Sequence, residues 1–184
     1  ELLCVAAVTP HKGHDVLLAA LGGIADLSWR CTCVGPRTGE AAFADRLARL
    51  AQDTGIADRV CFVGPRTIAA LDQAYSAADA LVLATRVESY GMVVSEALAR
   101  GLPVLATSVG GLPEALGRLP GGRRPGLLVP PGDAAALAAA LRRWLTDASL
   151  RGRLRHAARQ RRTTLRGWPV TSDRVSRVLA GVSG

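Results

Sequence analysis

The chain has 184 residues, of which 49% are hydrophobic and 21% are charged, and its formal net charge is +8. This size and composition are typical of one globular domain with a sizeable core. No apolar run approaches the roughly 20 residues of a spanning helix, so we predict no transmembrane segment.

Short apolar segments alternate along the chain with longer segments of helical period, which is the pattern of β-α-β units in a parallel sheet. Strands are predicted at residues 2–8, 29–34, 60–63, 80–84, 104–107 and 127–129. Helices are predicted at residues 13–21, 41–52, 68–77, 92–100, 133–145, 148–162 and 172–179, with a further short helix starting in the loop 110–114.

These elements predict an α/β fold for residues 1–184, with a doubly wound parallel sheet of six strands and additional helices at the C-terminal end. The segments 80–84 and 104–107 are almost entirely apolar, so we expect them to be central strands. Asp133 is predicted to cap the helix that follows it. Right-handed crossovers place a ligand at the carboxyl ends of the strands.

The positive charge is concentrated late in the sequence. Between Arg142 and Arg177 there are eleven arginines and only two acids, Asp147 and Asp173. One interpretation is a solvated helical face, and the other is contact with an anionic membrane surface or a neighbouring domain. Nucleic acid is not expected as a partner, because no aromatic side chains alternate with the basic ones to form a stacking surface.

The four cysteines all lie in short apolar segments, and no two of them form a CxxC pair. We therefore predict four buried thiols, since a disulfide framework or a zinc site would need clustered ligands on loops. Free thiols favour a reducing compartment, so a cytoplasmic location is expected, with a peripheral membrane contact as an extension of it. The cysteines are Cys4, Cys31, Cys33 and Cys61.

The segment ESYGMVVSE, residues 88–96, follows the strand predicted at 80–84, where an open α/β sheet binds ligands. Gly91 opens the next helix, so we expect the amides of Gly91, Met92 and Val93 to point outward without acceptors. They would lie at the positive end of the helix dipole, which suits a phosphate group.

Two carboxylates flank this predicted phosphate cradle. Glu88 lies in the loop and Glu96 lies more than a turn into the helix, so a close acid pair is not expected. The two side chains are placed to hold hydroxyl groups on either side of a diphosphate, those of a sugar and those of a ribose. In the alternative interpretation, Glu88 caps the helix and Glu96 is merely exposed.

This segment and its surroundings resemble the group 1 (family 4) retaining glycosyltransferases, whose hallmark is two glutamates separated by seven residues. The resemblance spans nearly the whole chain, and it implies the donor-binding C-terminal half of a GT-B enzyme. In such an enzyme two Rossmann-like domains face each other across a cleft. The further matching segments are Lys12-Gly13, VCFVG at 60–64, EALARGLPVLATSVGGLPE at 96–114 and LLVPPGD at 127–133.

The family resemblance also implies a role for individual residues. Glu88 would lie near the hydroxyls of the donor sugar, Glu96 would bind the ribose, and Lys12 would contact the diphosphate. Glu88 and Lys12 are thus the candidate catalytic residues, and neither a metal ion nor a cofactor is required. The remaining candidate donor-binding residues are Ser89, Tyr90, Gly91, Met92, Val93, Gly64 and Arg66.

One position departs from the family pattern. Five residues before the lysine the family usually carries an arginine that shares the diphosphate, whereas this chain has Ala6-Ala7. His11 and Arg86 could supply a substitute donor, or they could be ordinary loop residues.

The function expected from the resemblance is transfer of a hexosyl group from a nucleotide sugar, with retention of configuration. The chain starts at Glu1 inside an apolar segment, so we expect it to be part of a longer protein whose N-terminal acceptor domain is absent here. The isolated domain would then bind the donor without turnover.

The alternative is a degenerate binding module that docks on a membrane or a partner, and a GT-B epimerase or phosphorylase is a third hypothesis. A phosphorylase would need a pyridoxal lysine, and Lys12 is the only lysine.

Overall fold

The computed structural model describes residues 1–37 and 41–165 of the chain. These residues form a six-stranded, all-parallel sheet with the strand order β3-β2-β1-β4-β5-β6, so the predicted doubly wound α/β fold is confirmed. The strands are β1 (Leu2–Val5), β2 (Cys31–Val34), β3 (Val60–Gly64), β4 (Ala80–Leu83), β5 (Val104–Thr107) and β6 (Gly126–Val129).

Seven α-helices lie among the described residues. They are α1 (His14–Gly22), α2 (Ala41–Asp53), α3 (Ile68–Ala77), α4 (Met92–Ala99), α5 (Leu112–Leu116), α6 (Ala134–Thr146) and α7 (Ala148–Thr164). Two 3-10 turns, Pro10–Lys12 and Pro120–Gly122, were not predicted from the sequence. The helix predicted at 172–179 lies outside the described residues.

The interior strands form the centre of the core. All four residues of β4 and all four of β5 are buried, and each of these strands has a neighbour on both sides, as their apolar sequences predict. Helix α1 packs against α2 and α6, and its Leu17, Leu18 and Leu21 are fully buried. Asp133 caps α6 as predicted, because its side chain accepts a hydrogen bond of 2.8 Å from the amide of Ala136.

Two sequence predictions are wrong at the sheet. The first strand ends at Val5 rather than at residue 8, because the regular pairing with β2 stops at Val5 and Val34 and only single hydrogen bonds, from the amides of Ala6 and Val8, continue it. Cys61 is exposed rather than buried, because β3 is an edge strand and this residue faces outward. The other three cysteines are buried as predicted.

Several arginines of the basic segment make contacts within the molecule. Arg142 pairs with Asp26 at 2.7 Å, and Arg155 pairs with Asp79 at 2.6 Å. Arg151 donates to the carbonyls that end α6. Part of the positive charge therefore holds α6 and α7 on the domain. The arginines beyond residue 165 lie outside the described residues, and no described helix is long and apolar enough to cross a membrane.

The loops that follow β1 and β4 touch through their backbones. Gly13 has a φ of +69°, and a Cβ atom at this position would overlap the carbonyl oxygen of Ala84. Beside it, the amide of Arg86 donates to the carbonyl of His11 at 2.7 Å. Only glycine permits this approach, because it combines left-handed backbone geometry with the absence of a side chain.

Replacing Gly13 by alanine is expected to lower the free energy of unfolding by about 2–4 kcal/mol, because the left-handed conformation and the overlap with Ala84 both cost energy. Gly55 is a matched control, since its φ is +68° and a Cβ there meets no atom within 4 Å. Gly55→Ala should therefore cost only about 1 kcal/mol. Urea unfolding of both variants measures the difference, and equal losses would show that the overlap with Ala84 carries no cost.

Candidate functional site

A cavity of about 370 Å³ opens at the carboxyl ends of the strands. Its walls are the ends of β1, β2 and β4, the loop after β3, and the first turns of α3 and α4. The strand order reverses between β1 and β4, which is the point at which doubly wound sheets bind their ligands. Lys12, Glu88, Arg66, Gly91 and Val93 line this cavity, so the structure brings five of the predicted site residues together.

A second cavity, of about 260 Å³, lies between α2 and β3 and is lined mostly by apolar side chains. Arg37 and Gln52 are its polar residues. Because it lacks facing charges and lies away from the strand reversal, the first cavity is the stronger candidate for a functional site.

An ion pair stands at the wall of the first cavity. The ammonium group of Lys12 lies 2.8 Å from Oε2 of Glu88, and each side chain is about a quarter exposed, at 24% and 22%. Lys12 is the last residue of the 3-10 turn after β1, and Glu88 lies in the loop between β4 and α4. The ammonium has three donors, so contact with Glu88 leaves two for a ligand.

Glu88 also folds onto the residues just before α4. Its Oε1 accepts from the amides of Tyr90 at 3.4 Å and Gly91 at 3.3 Å. The prediction that the Gly91 amide is unpaired is therefore wrong, because the carboxylate of the preceding loop folds onto it. The amides of Met92 and Val93, in the first turn of α4, have no acceptor within the helix and remain available for a phosphate.

The environment of Glu88 keeps this carboxyl group ionised. Burial raises the pKa of Glu88, but the hydrogen bonds from Lys12 and from the Gly91 amide outweigh it and hold the pKa below the ordinary value of 4.5. The ion pair is therefore intact at neutral pH.

Both neighbouring loops hold the Glu88 loop in place. On one side, the Thr85 hydroxyl lies 3.0 Å from the carbonyl of His11, in the loop after β1. On the other side, the amide of Gly111 donates to the carbonyl of Glu88 at 3.2 Å, and a Cβ at Gly110 would overlap that carbonyl. The buried Thr107 hydroxyl donates to the carbonyl of Thr85 at 2.6 Å. Sequence reasoning missed both threonines, because buried hydroxyls leave no periodic signal.

The two substitutes considered for the family arginine do not reach the cavity. Arg86 makes two hydrogen bonds of 2.9 Å to the carboxylate of Asp15 and one to the carbonyl of Pro10. The hydrogen bonds to Asp15 raise the pKa of Arg86. His11 is exposed beside Thr9, and neither His11 nor Arg86 lines the cavity. The arginine is therefore part of the loop structure.

Glu96 lies one turn further along α4 than Val93 and does not line the cavity itself. Its Oε2 accepts a hydrogen bond of 2.9 Å from the hydroxyl of Tyr75, which is buried at 2% exposure. Glu96 is half-buried and bonded, so the interpretation that it is merely exposed is wrong. Tyr75 was not predicted, because nothing in the local sequence links residues 21 positions apart.

The other predicted donor-binding residues lie around the mouth of the cavity. Ser89, Tyr90 and Met92 are exposed, with Tyr90 at 80%. Gly64 ends β3, where its carbonyl accepts a hydrogen bond of 3.1 Å from the amide of Gly35. Of the loop after β3, Pro65 and Arg66 line the cavity and Gly64 does not.

Three potential metal ligands meet beneath the site. The Sγ atoms of Cys4 and Cys33 and a ring nitrogen of His14 lie within 4.8 Å of one another, and all three residues are buried. Nε2 of His14 is 3.8 Å from Sγ of Cys4, whereas its Nδ1 has no partner among the described residues. A structural zinc site normally has four ligands and a partner for each ligating histidine, whereas this cluster offers three ligands and an unpaired Nδ1.

Residues 1–161 match the sequence model of the family described as "Glycosyl transferases group 1", and the chain belongs to this family. It is 38% identical to a D-inositol 3-phosphate glycosyltransferase of Thermomonospora curvata over 187 aligned positions, which cover 98% of this chain and 42% of the relative. A relative of the same name from Corynebacterium glutamicum is 33% identical and is matched over 41% of its length. The chain thus spans less than half of these relatives.

Solved structures show the same fold. The sucrose-phosphate synthase of Thermosynechococcus elongatus superposes with a TM-score of 0.84 at 32% identity, over 98% of this chain and 45% of that one. Anabaena Alr3699/HepE, solved in complex with UDP-glucose, gives 0.83 at 22% identity, over 98% of this chain and 48% of that one. The C-terminal domain of a group 1 glycosyltransferase from Francisella tularensis superposes with a TM-score of 0.74 at 22% identity. The match covers 89% of this chain and 84% of that one. The fold is therefore that of one half of a GT-B glycosyltransferase.

The low pKa of Glu88 predicts a pH dependence of stability. A carboxyl group whose pKa is lower in the folded state adds stability above its unfolded pKa and loses it as the pH falls through the folded pKa. Below about pH 4.5, the wild type should therefore lose stability more steeply than Glu88→Gln, which has no proton to gain. Thermal unfolding between pH 7 and pH 3 measures the two slopes.

The matched control for this measurement is Glu114→Gln. Glu114 is exposed in the first turn of α5, and no ion pair of its carboxylate is present among the described residues. This variant should keep the steep slope of the wild type, and an equally steep slope in Glu88→Gln would refute the role of the ion pair.

Proposed function

We propose that this chain binds a nucleoside-diphosphate sugar as the donor half of a retaining glycosyltransferase, which transfers a hexosyl group to an acceptor. The observation that carries the proposal is the ion pair of Lys12 and Glu88 at the wall of the cavity where the strand order reverses. It combines one cation for a diphosphate with one carboxylate for sugar hydroxyls, as the family resemblance implies.

The proposed role of Lys12 follows from the chemistry of the leaving group. The diphosphate gains negative charge as the glycosidic bond breaks, so a fixed cation stabilises the transition state more than the bound donor. Glu88 holds the ammonium in place before the donor arrives. The amides of Met92 and Val93 complete the contact with the phosphates, and a metal ion is not needed for this charge stabilisation.

The other half of the active site would come from an N-terminal domain of the parent protein. Four large apolar side chains are exposed at the carboxyl edge of the sheet, at the start of α3 and around the loop before α4. An exposed apolar rim is typical of a surface that faces a partner domain. The isolated chain would then bind the donor without turnover. The residues are Ile68, Val87, Tyr90 and Met92.

The similarity to the D-inositol 3-phosphate glycosyltransferases supports the donor half only, since the chain covers about two fifths of them. The acceptor is therefore left open in this proposal. The solved complex of HepE with UDP-glucose makes UDP the first nucleotide to test.

Calorimetric titration with UDP, GDP and ADP tests the donor site. At least one of the three should bind, and binding should survive the addition of EDTA. Lys12→Ala should weaken it by about tenfold or more, because a charge-assisted hydrogen bond to the diphosphate is lost.

Arg30→Ala is the control for the loss of one positive charge, because Arg30 is exposed just before β2, at the opposite edge of the sheet. It should bind like the wild type. If none of the three nucleotides binds at millimolar concentration, the proposal fails and the degenerate binding module becomes the better hypothesis.

Restoring the family arginine should strengthen donor binding. Ala7 lines the cavity, where Lys12 and Arg66 are the cations among the described lining residues. Ala7→Arg should therefore tighten the binding of the preferred nucleoside diphosphate by about tenfold, through a further charge-assisted hydrogen bond. Ala7→Met fills a similar space without charge and should give no gain. A gain in both variants, or in neither, would contradict this account.

A further inference from the structure

Helices α3 and α4 are joined by a side-chain bridge next to the proposed donor cavity. Leu71 of α3 and Val93 of α4 both line the cavity. One turn further along each helix, the hydroxyl of Tyr75 donates to Oε2 of Glu96 at 2.9 Å. Tyr75 itself lies outside the lining of the donor cavity, so it contacts the carboxylate from behind the site.

We propose that Tyr75 is a positioning residue, which holds the carboxylate of Glu96 in the orientation that binds the ribose hydroxyls of the donor. This inference rests on the proposed function, in which Glu96 is the ribose ligand. Tyr75 itself does not touch the donor.

The geometry of helix α4 directs Glu96 toward the cavity. Helical side chains lean toward the N-terminus of their helix, so the carboxylate of Glu96 leans toward the turn that carries Val93. A carboxylate has two oxygens and about four lone-pair sites. The contact with Tyr75 occupies Oε2, and no hydrogen bond to Oε1 is present among the described residues. One oxygen is therefore fixed by the protein and the other is available to a ligand.

Tyr75 is itself held rigidly. The guanidinium of Arg100 lies 4.6 Å from the centre of its ring, in a cation-π contact. Arg100 in turn pairs with Asp72 at 2.8 Å and donates to the backbone carbonyl of Glu96 at 3.0 Å. The ring is thus fixed between two helices, and its hydroxyl has a defined position.

The hydroxyl of Tyr75 stays a hydrogen-bond donor at all physiological pH values. Burial raises the pKa of Tyr75 well above its ordinary value, and the hydrogen bond to the Glu96 carboxylate raises it further. Tyr75 therefore supplies a neutral donor that orients the carboxylate without cancelling its charge.

The test uses whichever of UDP, GDP and ADP binds the wild type most tightly. Calorimetry compares the affinity for this nucleoside diphosphate with the affinity for its 2′,3′-dideoxy form. We expect the wild type to prefer the ribonucleotide by about tenfold. In Tyr75→Phe this preference should fall to about twofold or less, while the affinity for the dideoxy form changes little. Because the preference is a ratio of dissociation constants, a moderate loss of stability does not affect it.

Two further variants complete the test. Glu96→Ala should remove the preference, and adding Tyr75→Phe to it should have no further effect on the ratio, since Tyr75 acts through Glu96. Thr54→Val is the control for loss of a hydroxyl. The Thr54 hydroxyl donates to the carbonyl of Leu50 at 2.6 Å, just after α2 and away from the lining of the cavity, so both affinities should stay as in the wild type.

The outcomes separate the inference from the proposed function. If no nucleoside diphosphate binds the wild type, the proposed function itself fails. If a nucleotide binds and Tyr75→Phe keeps the full preference for ribose, the positioning role is overturned and donor binding stands. A wild type that binds ribonucleotide and dideoxynucleotide equally well would overturn the inference in the same way.

Discussion

The structure of the candidate site depends on the close backbone contact between the loops that follow β1 and β4. These loops are far apart in the sequence, but their strands are neighbours in the sheet. Gly13 lies against the carbonyl of Ala84, and the backbone amide of Arg86 is bonded to His11. This contact brings Lys12 to within 2.8 Å of a carboxylate 76 residues away. Without it, the two loops would not hold the cation and the carboxylate in contact.

Both carboxylate oxygens of Glu88 make hydrogen bonds within the candidate site. One oxygen pairs with Lys12, and the other accepts a hydrogen bond from the amide of Gly91, just before α4. The cost of leaving a partly buried ammonium unpaired is thereby avoided. In the proposed function, a diphosphate would compete with this carboxylate for the ammonium of Lys12, or would share the ammonium with it. In the proposed function, the amides of Met92 and Val93 would contact the phosphates in preference to that of Gly91, because they have no acceptor within the helix.

The alternation of apolar and helical segments predicted the sheet, and the rule for ligands at the carboxyl ends of strands predicted which loops form the candidate site. Neither the alternation nor the rule predicted the contacts that depend on side-chain orientation or on the order of the strands. The sequence placed Glu88 correctly in the loop before α4. It did not predict the hydrogen bond from the Gly91 amide, because this bond depends on the rotamer of the Glu88 side chain. Tyr75 was not singled out within the helix predicted at 68–77, because its partner lies on another helix. The exposure of Cys61 follows from the edge position of β3, and alternation alone does not reveal which strand is at the edge.

The glycine contacts on both sides of the Glu88 loop limit how the loops of the candidate site can move. Gly13 brings the loop after β1 against Ala84, and Gly110 lies against the carbonyl of Glu88 from the side of β5. A loop enclosed in this way by neighbouring backbone has little freedom to open or close by itself. Any displacement of this region would therefore be a rigid-body movement, in which these three loops travel together.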